Sequence, residues 1–253
     1  MMQLDLATCL EPGARDHNED DLRTGQDGAL SWAVLSDGAG GHSRGDEASR
    51  QVVSTLDAGL AEASRQGAID ADGLGALVRR AHQRLCADAA QAGARQRMHA
   101  TVVALWLDRG RGQAVWAHVG DSRLYLVRDG VAAALTRDDS VVQQMVDAGF
   151  LSAEDARHHP RKNQLLSALG GVEGDVEVHL PPEPLALRDG DGFLLCSDGW
   201  WDVVEAPRIA AAFGAGPDAA GWIARMDRMI RDAARPQQDN YSAIGLRLRG
   251  PAG

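Results

Sequence analysis

Four aspartates in this 253-residue chain stand where short apolar runs begin or stop. Asp37 follows the run Trp32 to Leu35, in Ser36-Asp37-Gly38-Ala39-Gly40-Gly41. Asp198 repeats the device after Phe193 to Cys196, as Ser197-Asp198-Gly199. Asp121 follows Ala114 to Val119 in Gly120-Asp121-Ser122-Arg123, and Asp239 precedes the run Ala243 to Leu248. Apolar runs of this length, bounded by turn residues, read as buried strands, so each carboxylate is expected at a strand end. A single Asp-Gly pair is equally well explained as a hairpin turn. Four strand-edge aspartates widely separated in sequence are not. Carboxylates brought together repel one another unless cations hold them, so the pattern points to a multi-metal centre built on strand ends.

The totals exclude several other classes. With 26 Lys+Arg against 36 Asp+Glu the net charge is -10, the wrong sign for a nucleic-acid binder. The longest apolar run, Val102 to Leu107, is too short to span a bilayer. No basic residue precedes Arg15, so no secretory signal is read, and the expected location is cytoplasmic. Cys9, Cys86 and Cys196 have no metal or redox spacing and are expected as free thiols. Cys9 and Arg15 do have the Cys-x5-Arg spacing of cysteine-dependent phosphatases. In such a phosphate-wrapping loop, however, Glu11 would introduce a negative charge and Pro12 would remove a backbone donor.

The elements that must position the acids follow from periodicity. Leu4, Leu6 and Thr8 alternate with polar residues, predicting a first strand. The segment Gly13 to Asp21 reads as a polar loop. A helix capped by Ser43 or Asp46 and running to about Ala63 shows an apolar face at Ala48, Val52, Leu56 and Leu60. A second, over about 72–92, carries Leu74, Leu77, Val78, Ala81 and Leu85, with His82 off the stripe and expected in solvent. Thr101–Leu107, Ala114–Val119, Leu124–Val127 and Val131–Leu135 read as an antiparallel meander interrupted by Asp121, with Arg123 two residues on; the bland alternative for that pair is a turn aspartate and a surface arginine. Ser140 and Gln143 form a capping box. Residues 149–164, with His158, His159, Arg161 and Lys162, read as a partly basic flap that would attract an anionic substrate. Further strands are expected at 164–169, 176–180 and 192–196, and a last helix at about 218–234. Asp202 lies four residues beyond Asp198, on the same face if a helical turn starts there. Strands in two batches with helices before, between and after suit an α+β sandwich of two antiparallel sheets in a single domain over 1–253.

Five motifs in this order resemble the metal-dependent protein serine/threonine phosphatases of the protein phosphatase 2C type, in their compact bacterial form. They are Arg15 with Asn18-Glu19-Asp20, Asp37-Gly38-Ala39-Gly40-Gly41-His42, Gly120-Asp121-Ser122-Arg123, Ser197 to Asp202, and Asp239-Asn240-Tyr241-Ser242. The resemblance covers about residues 4–249 and implies a four-layer αββα sandwich with metals in a cleft at one sheet edge. It implies that Asp37 bridges two metals, that the Gly38 carbonyl completes one shell, and that Asp198 and Asp239 bind the other ion. It gives Glu19 and Asp20 metal-bound waters, Asp121 and Asp202 a third, weaker site, and Arg15 the phosphate. All-oxygen ligands favour Mg²⁺ or Mn²⁺ over Zn²⁺. Two such ions roughly 3.5–4 Å apart would activate a shared water for in-line attack on phosphorus, with no covalent intermediate. The chain departs from the family at Ala39, where relatives often carry a His or Met. The acid for the leaving group is then either a metal-bound water or a group such as His42. It also departs at Asp139, where relatives often carry His.

The expected activity is hydrolysis of phosphoserine and phosphothreonine in protein substrates by a monomer. Two alternatives remain open from the sequence. A phosphoprotein-binding regulatory domain would bind metal without turnover, and a metallophosphatase acting on small phosphate esters would use the same site.

Overall fold

The computed structural model describes residues 2–39, 44–92, 98–170 and 174–250. The chain opens with strands β1 (Gln3–Glu11), β2 (Asp20–Asp27) and β3 (Leu30–Ala39), then two long helices, α1 (Gly45–Gln66) and α2 (Ala71–Ala92). Next come β4 (His99–Ala100), β5 (Val102–Asp108), β6 (Gln113–Val119), β7 (Arg123–Arg128) and β8 (Val131–Ala134). Short helices α3 (Val141–Asp147) and α4 (Ala153–His158) lead to β9 (Leu169–Gly170), β10 (Leu185–Ala186) and β11 (Gly192–Cys196). The chain closes with α5 (Asp198–Trp201), α6 (Ala206–Gly214), α7 (Ala219–Ala233) and β12 (Tyr241–Arg249).

Two antiparallel sheets result. One runs β1-β12-β11-β7-β8; the other runs β10-β6-β5-β3-β4-β9, with β2 along the other edge of β3. Strand alternation divides the apolar residues into three layers of core. Leu35, Val103, Leu105, Phe193, Leu195 and Ile244 fill the space between the sheets. The opposite faces of β3 and β5, through Val34, Val102 and Trp106, pack against Val52, Leu56 and Leu60 of α1 and Leu74 and Leu85 of α2. Leu194, Cys196 and Ala243 pack outward on Trp222, Met226 and Ile230 of α7. Burial on both faces explains why these strands read as continuous apolar runs. Each fully buried Leu or Val contributes about 1.5–3 kcal/mol. The architecture is the expected αββα sandwich.

Several local expectations need correction. The meander is broken: β6 and β7 belong to different sheets, and the chain crosses between them at Gly120–Ser122. Gly120 makes the crossing with φ +99°, a left-handed conformation that glycine adopts without strain. Asp121 therefore stands where both sheets meet rather than at a hairpin. β2 falls in a segment too polar to read as a strand, yet it pairs with β3 over its full length, Asp20 opposite Asp37 through Asp27 opposite Leu30. The expected strand at 176–180 reduces to one bridge between His118 and His179, and that at 164–169 to a bridge at Leu165 and the two residues of β9. α6 was not anticipated. The N-cap of α1 is Arg44, with Asp46 in its first turn and Ser43 outside the described residues. His82 is not in solvent: it is buried, with Nδ1 accepting from Gly170 N and Nε2 3.0 Å from Gly174 O. The Ser140 cap forms, its Oγ accepting from Gln143 N, but the Gln143 side chain turns to Asp147 instead of closing the box. No helix among the described residues is long and apolar enough to cross a membrane.

Candidate metal centre

Asp37 leaves β3 at a point where its neighbours are pinned to the start of β5. Its N–H donates to Thr101 Oγ1 and its carbonyl accepts from Thr101 N, while Ser36 Oγ donates to Thr101 O at 2.6 Å. One residue on, a Cβ on Gly38 would stand 2.0 Å from Gly45 O and 2.8 Å from Glu19 O. The glycine is required by this close approach of three backbone segments. Gly45 faces the same constraint from Glu19 and Gly38.

The loop before β2 is held to the far end of the chain by Asn240. Its Nδ2 donates to Pro12 O and His17 O, both at 2.9 Å, and its Oδ1 accepts from Glu19 N at 2.8 Å. Gly13 packs so tightly on Asp239 that a Cβ would lie 2.2 Å from the Asp239 carbonyl oxygen. Gly199 makes the equivalent approach to Asn240 O, at 2.1 Å. Glycines thus bring the loops carrying Arg15, Glu19, Asp198 and Asp239 into backbone contact.

Asp20 is buried beneath this cluster. Its Oδ2 accepts from Ser197 Oγ (2.8 Å) and Ser242 Oγ (2.6 Å), whereas its Oδ1 is buried without a partner among the described residues. The two serines belong to the Ser-Asp-Gly and Asp-Asn-Tyr-Ser motifs, which is the signal by which their role could have been found. On the other side Trp201 Nε1 donates to Asp121 O at 2.9 Å. Arg123 lies over the Trp201 ring, 3.7 Å from its centroid, and forks onto both oxygens of Asp138. Arg123 is therefore a strut behind Asp121, which sets aside the bland alternative of a surface arginine.

The electrostatics record an uncompensated negative site. Burial, then repulsion from Asp20, Asp198, Asp121 and Asp239, holds the Asp37 carboxyl well above the usual carboxylate range. Burial pushes Asp20 up to about 7 against the two serine hydroxyls. Asp198 is pushed up to about 6, by burial and then by Asp239. Asp121 is raised well above the ordinary range by burial and by Asp198 and Asp138. Glu19 is raised chiefly by burial, with Arg15 opposing. Asp202 differs. Burial pulls it up, but Lys162 and Arg235 outweigh that and hold it below the usual range. Both cations form ion pairs with its carboxylate. Arg15 donates to Asp239 Oδ2 at 2.8 Å from an exposed position. Of these groups, Arg15, Lys162, Asp198, Asp202, Arg235 and Asp239 line a cleft of about 600 Å³.

The Asp37 carboxyl thus lies near enough to Asp20, Asp121, Asp198 and Asp239 to feel their charge, Arg15 pairs with Asp239, and Asp202 is engaged by cations. The aspartates do not close into a tight chelate: among the described residues, only His118, Asp139 and His179 bring three potential ligand atoms all within 4.8 Å of one another. His42 lies outside the described residues. Cys9 is in the middle of β1, and burial pushes its thiol up to about 12, which removes it as a nucleophile.

A family model described as Protein phosphatase 2C matches residues 13–238. The chain is 36% identical over 230 residues to the serine/threonine protein phosphatase PstP of Mycobacterium tuberculosis, covering 91% of this chain and 42% of that protein. It therefore spans under half the length of that relative. The crystal structure of the M. tuberculosis phosphatase PstP/Ppp superimposes with a TM-score of 0.85 at 31% identity, covering 98% of this chain and 99% of the other. A structure of the PstP catalytic domain in complex with two manganese ions gives a TM-score of 0.81 at 29% identity, over 99% of this chain and all of that one. With the sandwich, the strand-end aspartates and the family match in agreement along nearly the whole chain, this protein belongs to the protein phosphatase 2C family.

Proposed function

We propose that this chain is a Mg²⁺- or Mn²⁺-dependent protein phosphatase that hydrolyses phosphoserine and phosphothreonine in protein substrates. The observation that carries the reading is the mutually repelling set of buried Asp20 and Asp121 and half-buried Asp37 and Asp198 beside Asp239 and Arg15, with Asp20 Oδ1 unpartnered among the described residues. Such a set fits hard divalent ions, whose preferred ligands are carboxylate, carbonyl and water oxygens. In this reading Asp37, the Gly38 carbonyl, Asp198 and Asp239 would hold the two ions, while Glu19 and Asp20 would hold metal-bound waters. Asp121 and Asp202 would supply a third, weaker site, for which Asp202 must first release Lys162 and Arg235. When bound, such ions lower the pKa of a shared water and neutralise phosphate charge.

The chain's own residues supply the rest. Arg15 has a planar fork able to turn from Asp239 onto two phosphate oxygens, orienting phosphorus toward the acidic floor. Lys162 and Arg235 at the cleft mouth favour entry of an anion. A second depression of about 510 Å³ continues from the cleft through Lys162, Asp202 and Arg235 to α3, α4 and the start of α6. Its extent beyond the acids favours a polypeptide substrate over a small ester.

The test is hydrolysis of a phosphothreonine peptide and of p-nitrophenyl phosphate with Mn²⁺, with and without chelator. Activity that survives chelation, or that persists in Asp37→Asn, would overturn the metal mechanism. Tight Mn²⁺ binding without turnover of any phosphopeptide would support the binding-domain reading. A kcat/KM higher for small esters than for phosphoproteins would support the small-substrate reading.

A further inference from the structure

His118, on β6, and His179 form an isolated antiparallel bridge in which each N–H donates to the other's carbonyl, at 3.1 and 3.0 Å. Such a pair projects its side chains on one face, and here the imidazole rings stack with centroids 4.9 Å apart. Asp139 completes the group. Its Oδ1 is 2.7 Å from His179 Nε2, and its Oδ2 accepts from Gly120 N at 2.8 Å. One ring nitrogen from each histidine and one Asp139 oxygen all lie within 4.8 Å of one another.

His118 supplies an independent observation. The residue is only 4% exposed. Its Nε2 lies 2.8 Å from Arg137 O, which fixes the proton on that nitrogen. Nδ1 is then left as a lone pair, and it is buried with no hydrogen-bond partner among the described residues. A ligating histidine characteristically donates its other N–H to a backbone carbonyl in this way, which orients the ring and fixes the tautomer. Burial also lowers the His118 pKa and keeps the ring neutral, as ligation requires.

We propose that His118, Asp139 and His179 form a second metal site, separate from the aspartate cluster, for an ion of the Zn²⁺ class. Two imidazoles and one carboxylate suit Zn²⁺, and Co²⁺ or Ni²⁺ as its surrogates, better than Mg²⁺ or Mn²⁺. Three protein ligands leave a fourth position for water. On binding, the ion takes the place of the proton shared between His179 Nε2 and Asp139 Oδ1, and the His179 ring adopts its other neutral tautomer. The ion cross-links β6, Asp139 and the 174–180 segment. Because Asp139 and Gly120 exchange hydrogen bonds immediately before Asp121, it also stiffens the crossing between the two sheets.

The experiment uses the full chain freed of metal by chelation. An Asp37→Asn/Asp239→Asn double variant weakens the acidic cluster, so that the part of its Zn²⁺ uptake, followed by calorimetry, that a further histidine substitution removes reports on the histidines. The double variant is expected to bind a single equivalent of Zn²⁺ and to gain thermal stability from it. Co²⁺ should give visible ligand-field absorption of histidine coordination. Adding His179→Gln or His118→Gln should weaken Zn²⁺ binding at least about 10-fold, the smaller effect seen for outer-shell partners of a site. It should also remove the Co²⁺ bands. Circular dichroism of the metal-free variants checks folding, and half-exposed His179 carries the test if the buried His118 variant does not fold. Absence of Zn²⁺ uptake by the double variant, or unchanged uptake in folded His179→Gln, would overturn the proposal. Either result would leave the Mn²⁺-dependent phosphatase reading intact.

Discussion

Asp20 and Asp37 stand directly opposite each other across the β2–β3 ladder, and Asp20 is the strongest charge neighbour that Asp37 has. Residues opposite one another in a ladder project to the same face, so a single strand pair delivers two carboxyls to the cluster. Like charges opposed in this way destabilise a sheet. The strand pair is therefore built for neutralisation from outside the chain.

The metal-free protein should lose stability as pH rises. Asp20, raised to about 7, and Asp198, raised to about 6, bind protons more tightly folded than unfolded. The folded state then holds more protons, so the unfolding free energy falls with pH. The stability is fully present below the unfolded carboxylate range near pH 4 and is lost as pH rises toward about 7. Urea titrations in chelator at pH 5 and pH 8 should show the lower midpoint at pH 8. Saturating Mn²⁺ should abolish the difference.

Asp37→Asn should move activity and metal-free stability in opposite directions. Removing the charge relieves repulsion from four aspartates. The metal-free variant should gain stability at pH 8, read as a higher urea midpoint than the parent chain. Its kcat/KM with Mn²⁺ should fall more than about 100-fold, beyond the loss typical of an outer-shell partner. A variant that lost both would mark Asp37 as merely structural.

Asn240→Ala should be among the most damaging changes outside the carboxylates. The side chain is buried and satisfies Pro12 O, His17 O and Glu19 N together. Pro12 and His17 are exposed and Glu19 half-buried, so each of the three hydrogen bonds contributes about 0.5–1.5 kcal/mol net. A loss of about 2–4 kcal/mol in chemical denaturation is expected. A raised Mn²⁺ requirement should accompany it, because the loop carrying Arg15 and Glu19 is released.

Lys162→Ala should tighten metal binding at the cleft. Lys162 pairs with Asp202 in a partly exposed position, so the contact is worth only about 0.2–1 kcal/mol. Removing it should lower the Mn²⁺ concentration for half-maximal activity by roughly 2- to 5-fold. Limited proteolysis should cut the 149–164 segment faster, since one of its tethers is gone.

The sequence by itself determined the layers and the chemistry. Runs such as Val102 to Leu107 are apolar on both faces, which requires cover on both sides, and α1 and α2 show the 3.6-residue stripes that supply it. Aspartates at the ends of such runs could be read as convergent because no local turn needs four of them. Tertiary structure decided what depended on pairing between distant segments. β2 carries too few apolar residues to announce itself and is a strand because β3 offers it a full ladder. The crossing at Gly120 turns on a left-handed glycine that resembles a hairpin turn in sequence. The roles of Asn240, Ser197 and Ser242 arise only when residues some two hundred positions apart meet. The His118–Asp139–His179 group depends on a two-residue bridge with no periodicity to reveal it. Periodicity records which face of a segment is buried. Hydrogen bonds between segments leave no such trace in the chain.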